Sequence, residues 1–391
     1  MPDSIVDTSF TTRTLQKLVQ INSVNPGLDP DGPGEGEIGS FIQDTLSDLS
    51  VQCETDTLSP GRVNVTARLK GSDGGPTLML NAHTDTVGVA GMEDPFSGRI
   101  DGNRLYGRGS YDMKGSIAAI LGAAKALKEN DIRLKGDLIL SFVADEEYES
   151  IGAQALVKNL TADAAIVTEP TDLNLCLAHR GFGIFKITTE GKTAHGGRHE
   201  QGIDANIHMG LILAELNKLS QRLPNENRHP LCGLASLHVP LISGGRSLFV
   251  YSNSCTIHAE RRTIPGETQD KVTEEFHDII DQISKHNPKF RATLEPEIWR
   301  SPYEIDASSA IVSATEQAAT KSLGNAPGTI GHTWWEDSAI FGDAGIETVI
   351  LGPAGGGIHE DVEWVELDSL EKLADILYRT AIDYCGVEDP V

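Results

Sequence analysis

Residues 143–150 read VADEEYES, so Asp145, Glu146 and Glu147 follow directly on the apolar, β-branched run DLILSF. Buried carboxylates are costly unless they are paired, hydrogen-bonded or bound to metal. Like charges side by side add repulsion. The segment is therefore a solvated turn, or something cationic sits beside it. Four other places in the chain bear on the choice. His83-Thr-Asp85 ends the apolar run LMLNA. Residues two apart on a strand share a face, so the imidazole can bind a metal while the carboxylate orients it. Asp112, in YGRGSYDMKG, stands after a glycine turn at the head of a long helical run, and Glu169, in IVTEP, follows another apolar strand. His359, in VILGPAGGGIHED, is presented by a glycine-rich turn.

Each place has a plainer reading on its own: a satisfied structural histidine, an N-cap aspartate, an acidic strand end, a loop histidine. Together they supply two histidines, several carboxylates and no thiolate. That set suits borderline-to-hard divalent ions such as zinc, cobalt or manganese. Two ions can share a bridging carboxylate, which is the plan of a two-metal hydrolytic site. One of the adjacent glutamates can then bind metal while its neighbour handles a proton.

The elements that must position these groups alternate. TLQKLVQI and EIGSFIQDTLSDL have helical spacing, RVNVTARLKG and TLMLNAHTDTV are strand-like, and DMKGSIAAILGAAKALKEN is a strong helix. DLILSFVADEE is a strand, GAQALVKNL a helix and AAIVTEP a strand. This order predicts an α/β catalytic domain with a largely parallel sheet and helices on both faces. Its sites belong beyond the carboxyl ends of the strands. From about residue 180 the texture changes to a β–α–β–β–α order, and the α/β texture returns after about residue 301. We therefore expect one domain from residues 1–179 and 301–391, with an α+β domain, 180–300, inserted into it. Gly34-Glu-Gly36-Glu-Ile-Gly39 is formally GxGxxG, but no strand precedes it and two glutamates stand where a pyrophosphate would sit.

A length of 391 residues favours two domains over one core. The 32 basic and 57 acidic residues give a net charge of −25, which disfavours nucleic acid and anionic membranes as partners. No apolar stretch is long enough to span a bilayer. The five cysteines are scattered and show no CxxC spacing, which suits a reducing compartment. The opening MPDSIVDTSF lacks the basic and apolar parts of a secretion signal. A cytoplasmic protein is expected.

The stretches NAHTDTV, GRGSYDMKG, ADEEYESIGA, VTEPT, GKTAHGGRHEQGIDA, RRTIPGE and GPAGGGIHEDVEWV, in this order, resemble the M20 family of metallopeptidases. That family includes acetylornithine deacetylases, succinyl-diaminopimelate desuccinylases and glutamate carboxypeptidases, and the resemblance covers essentially the whole chain. It implies two divalent ions, zinc first, with cobalt or manganese as alternatives. His83, Asp112 and Glu169 would hold one ion. Asp112, Glu147 and His359 would hold the other, with Asp112 bridging. Asp85 would orient His83, Glu146 would be the general base, and the Asp112–Met113 peptide would be cis. The inserted domain would be a lid that also forms a homodimer. His195, in TAHGG, would help polarise the substrate carbonyl, and Arg262 would grip a substrate carboxylate. Two positions depart from the pattern: Phe249 stands where an asparagine is common, and Glu260 where aspartate is usual.

The reaction implied is hydrolysis of an amide bond. The leading substrate class is an N-acyl amino acid, as for acetylornithine deacetylase or succinyl-diaminopimelate desuccinylase, and the runner-up is a short peptide cut by a carboxypeptidase or dipeptidase. A non-catalytic binder on the same fold should have lost a ligand or the base, and none is missing. An oxidoreductase would rest only on the glycine loop already set aside.

Overall fold

A computed structural model describes residues 5–72, 74–226 and 228–388. The outermost residues of the expected first domain, 1–4 and 389–391, lie outside that range. The chain forms two compact units. The first comprises residues up to Leu177, Ile305–Ile330 and Glu336 onward, and the second comprises Ala178–Glu304 together with Gly331–Trp335. The expected boundaries at 180 and 300 thus stand beside changes of unit after Leu177 and after Glu304. The five-residue strap Gly331–Trp335 was not expected in the second unit.

In the first unit the strands lie in the order Cys53–Ser59, Arg62–Leu69, Leu138–Val143, Leu78–His83, Ala164–Val167, Glu347–Ile350 and the opening residues of Leu175–His179. The middle four are mutually parallel, and antiparallel strands flank them. Parallel strands buried on both faces carry continuous apolar runs. Every residue of Leu78–His83 and of Leu138–Val143 is buried. Met79, Ile139, Val143, Ala165 and Ile350 form a core with Ala153 and Leu156 of the helix Ile151–Asn159 and Phe341 of Ser338–Asp343. The helices Gly115–Glu129 and Leu367–Cys385 also pack on the strand Leu78–His83 and on each other. Thr8–Gln20, capped by Asp7 accepting from the Phe10 N–H at 2.9 Å, lies against Gly115–Glu129. A Cβ on Gly122 would fall 2.6 Å from Thr11 Oγ1, so that contact requires glycine.

Register sets the site. His83 pairs with Val143, and Asn81 with Val167, in parallel ladders. The residues that follow these strands, Asp85, Asp145–Glu147 and Glu169, therefore leave the sheet at one edge. Asp112 was expected at the head of its helix. The helix begins instead at Gly115, with Lys114 as its N-cap residue, and Asp112 lies in a distorted turn, Ser110–Lys114. The Asp112–Met113 peptide is cis.

The second unit holds a four-stranded antiparallel sheet ordered Ser236–Gly244, Ser254–Thr263, Gly181–Glu190 and Ala292–Arg300. Helices Ala205–Glu226 and Gln269–His286 cover one face through Met209, Ile212, Leu216, Val272 and Phe276. The Phe185 and Phe276 rings lie 4.6 Å apart between centroids. The closing strand, Ala292–Arg300, went unread in the sequence. Its alternation is broken by a bulge between Pro296 and Ile298, and it lies at the sheet edge, where proline is tolerated. In the strap, Trp335 Nε1 donates to the Ser301 carbonyl at 3.1 Å, and the His332 carbonyl accepts from the Arg180 N–H at 3.2 Å.

Candidate metal centre

Seven of the residues singled out in the sequence converge at the carboxyl edge of the first unit's sheet. His83 Nε2 lies 3.0 Å from Asp112 Oδ1 and 3.6 Å from Glu169 Oε1. His359 Nε2 lies 3.3 Å from Asp112 Oδ2 and 3.1 Å from Glu147 Oε2. The two oxygens of Asp112 thus face two different histidines, each with its own glutamate. Ligand atoms of His83, Asp112 and Glu147 fall within 4.8 Å of one another, as do those of His83, Glu146 and Glu169. Glu146, expected as the free base, is therefore within reach of the same ligand atoms.

The electrostatics of the cluster favour a cation. Burial pushes the Glu146 and Glu169 carboxyls well above the usual range; the Glu169 charge adds to it for Glu146, and the Asp112 charge for Glu169. Burial and Asp112 raise Glu147 as well. Burial pulls the His83 imidazole down, but hydrogen bonds with Asp112 and Asp85 more than reverse it. Asp112 and Glu147 hold His359 up to about 10. The three glutamates and both imidazoles hold protons more tightly than usual, while Asp112, between the two imidazoles, is held well below the usual carboxylate range, because the site is short of positive charge. Divalent ions would replace those protons, and a carboxylate–imidazole donor set fits them.

The surrounding residues hold this arrangement. His83 Nδ1 lies 3.0 Å from the Asp85 carbonyl oxygen and 3.4 Å from Asp85 Oδ1. The Asp85 carboxylate also accepts the backbone N–H of Glu146 at 3.1 Å and of Glu147 at 3.2 Å. It therefore fixes the acidic turn as well as the imidazole. Glu363, which the sequence did not single out, is 1% exposed. Its carboxylate accepts the N–H groups of Gly109, Tyr111 and Asp112 at 2.9–3.0 Å, and Arg108 donates to it at 2.8 Å. These bonds satisfy the amides around Asp112, where the backbone of Asp112 and Met113 is non-helical and the helix has not yet begun. Asp145 and His359 adopt positive φ, +72° and +59°, a backbone region uncommon for residues other than glycine. A Cβ on Gly352 would sit 2.1 Å from the Glu169 carbonyl oxygen, so the strand leading to His359 can approach Glu169 only with glycine there.

The two remaining expectations, His195 and Arg262, lie in the second unit. His195 is exposed, and its Nδ1 accepts the Gly197 N–H at 3.1 Å. Arg262 pairs with Glu260 and lies over the Phe182 ring, 4.9 Å from its centroid. Glu260 also stands 3.0 Å from His238 Nε2. A second arginine, Arg180, lies in the same unit and was not singled out in the sequence. It is partly buried, and its Nε donates to the Cys232 carbonyl at 2.8 Å. Burial disfavours its charge and the Arg262 guanidinium adds repulsion.

Acids and imidazoles gathered beyond the ends of a parallel sheet could hold divalent ions. Comparison with known proteins makes the class specific. The chain belongs to the peptidase family M20/M25/M40, whose family model matches residues 79–383. It is an enzyme that hydrolyses amide bonds. Among its relatives is an acetylornithine deacetylase of Myxococcus xanthus, 29% identical over 335 residues, 83% of this chain and 85% of that one. Aminopeptidase PepT of Bacillus cereus has the same fold, with a TM-score of 0.79 and 20% identity, covering 97% of this chain and 99% of that one. A Bacillus subtilis protein described as a dinuclear metal binding peptidase matches with a TM-score of 0.75 and 18% identity, covering 96% and 98%. No helix among the described residues is long and apolar enough to cross a membrane.

Proposed function

We propose that the enzyme is a dinuclear-metal deacylase that removes a short acyl group from an N-acyl amino acid. The observation that carries this reading is Asp112, whose two oxygens each face one histidine, His83 at 3.0 Å and His359 at 3.3 Å. His83, Asp112 and Glu169 would hold one ion, and Asp112, Glu147 and His359 the other, zinc first and cobalt or manganese as alternatives. Bound there, the ions would supply the positive charge that acidifies a water and polarises the scissile carbonyl. Glu146 takes the proton of the attacking water and passes it to the leaving amine. Asp85 keeps His83 and the Glu146 turn in place. His195 donates to the carbonyl oxygen as negative charge develops on it.

Arg262 and Arg180 hold the carboxylate of the amino acid. The planar guanidinium fork suits a carboxylate. A panel of N-acetyl amino acids, N-succinyl amino acids and dipeptides, assayed with added zinc or cobalt, tests the reading. N-acyl amino acids are expected to be the preferred substrates. Arg180→Met should raise KM for them roughly ten- to a hundred-fold, the loss of a charged hydrogen bond, with kcat little changed. Unchanged KM would remove Arg180 from the site. Preference for dipeptides would transfer the assignment to a carboxypeptidase or dipeptidase.

We also assign self-association to the second unit. Its strand Ser236–Gly244 lies at the sheet edge and exposes Leu241 and Ile242, with Ile207 exposed on the helix Ala205–Glu226. An open edge with apolar side chains can pair with a second copy of itself. Sedimentation is expected to show a homodimer, and a monomer at all concentrations would remove this assignment.

A further inference from the structure

The turn that carries Glu146 and Glu147 is held by two buried carboxylates, one at each end. Asp85 accepts the N–H groups of Glu146 and Glu147. Asp145 Oδ2 accepts those of Glu149 at 3.2 Å and Ile151 at 3.3 Å. One side chain ties the two acids together. Asn25 Nδ2 donates to Asp85 Oδ2 at 2.7 Å and to Asp145 Oδ1 at 2.9 Å. We propose that Asn25 is a positioning residue for this turn, and so for the base and the ligand on it. The proposal rests on the deacylase reading of Glu146 and Glu147.

The orientation of the amide is not arbitrary. Asn25 Oδ1 accepts the Gly27 N–H at 2.8 Å, so the NH₂ group must face the acids. The Asn25 backbone N–H donates to the Thr86 carbonyl at 2.9 Å, which fixes the residue beside the end of the strand bearing His83 and Asp85. Asn25 is fully buried. Gly27 packs on Tyr148 of the same turn, where a Cβ would fall 2.4 Å from the ring. The site requires a short side chain that donates twice and accepts once, and only asparagine offers that at this length. An aspartate would bring a third buried carboxylate and no donor. An alanine would remove the NH₂ that Asp85 and Asp145 share, so that Asp145 keeps Arg62 but the direct tie between the turn's two anchors is lost.

Asn25→Ala and Asn25→Asp in the full chain test this. Metal binding is titrated by calorimetry with zinc and, separately, followed by the absorption of bound cobalt. Kinetics are measured with saturating metal. Both variants are expected to fold, with metal affinity or kcat reduced about ten- to a hundred-fold, the usual effect of losing a partner of the ligand shell. KM should change little, the cobalt spectrum should shift, and Asn25→Asp should be the worse of the two. Wild-type affinity, kcat and cobalt spectrum in both variants would overturn the proposal. So would a loss of thermal stability with the folded fraction retaining wild-type kcat and affinity. If the wild-type chain cuts no amide in the panel, the deacylase reading fails, while the variant-to-wild-type ratio of metal affinities still decides the role of Asn25.

Discussion

Glu146→Gln is expected to cut kcat by about 10²–10⁴-fold, the span typical of a positioned general base, while metal stoichiometry stays at the wild-type value. Glu146 is the member of the acidic pair that His359 does not contact, since His359 stands beside Glu147. Burial and the neighbouring Glu169 and Asp337 charges raise its proton affinity, so it can retain a proton taken from water. Glutamine keeps the shape and removes the basic oxygen. The backbone N–H of residue 146 still reaches Asp85, so the turn should not move. Steady-state kinetics on the metal-loaded variant, with metal content measured on the same sample, is the check. Near-normal turnover with metal bound would remove Glu146 as the base. Loss of metal together with activity would make it a ligand instead, which its closeness to His83 and Glu169 leaves as the competing outcome.

The second large effect concerns stability. Arg62 lies behind the acidic turn and bridges two buried acids. Its Nε and one terminal nitrogen reach Glu35 at 2.7 and 2.9 Å, and the same terminal nitrogen reaches Asp145 at 2.5 Å. Arg62→Met keeps the length and removes the charge, leaving both acids uncompensated. Removing one partner of a buried pair typically costs about 3–5 kcal/mol, and denaturant unfolding should show that loss. The deficit should depend on pH. Burial pushes Glu35 from 4.5 up to about 7 even with Arg62 present. A carboxyl raised on folding favours the folded state while it keeps its proton, and this contribution is lost as pH rises from 4.5 through 7. Without the guanidinium the ionised form is harder still to bury. The variant should therefore lose more stability at pH 8 than at pH 5. An equal loss at both would show that Arg62 acts by packing its stem.

Much of this site could be read from the sequence because its chemistry is written in short stretches that end strands. His83, Asp112, Glu147, Glu169 and His359 each close an apolar run or follow a glycine turn, and parallel pairing brings such ends to one edge. What escaped notice is what acts across the chain. Asn25 sits in NSVNPG, where an asparagine reads as a turn former, and its partners are 60 and 120 residues away. Glu363 follows His359 in the same stretch without a motif of its own, yet it grips amides some 250 residues upstream. The late start of the helix Gly115–Glu129 was hidden as well, since nothing in DMKG marks the non-helical backbone of Asp112 and Met113. Polar edge strands were the other loss. Cys53–Ser59 is mostly exposed, so it lacks the apolar alternation that marks a half-buried strand.

The strap Gly331–Trp335 bears on how such a protein can be recombined. A gene cut at codons 178 and 304 would lift out a nearly whole second unit, but it would leave behind the indole that caps the Ser301 carbonyl and the acceptor for the Arg180 amide. A chimera grafted at those two points inherits a foreign strap. Swaps between relatives should succeed only when the pentapeptide travels with its unit, so these two distant stretches of one gene are expected to have changed in step.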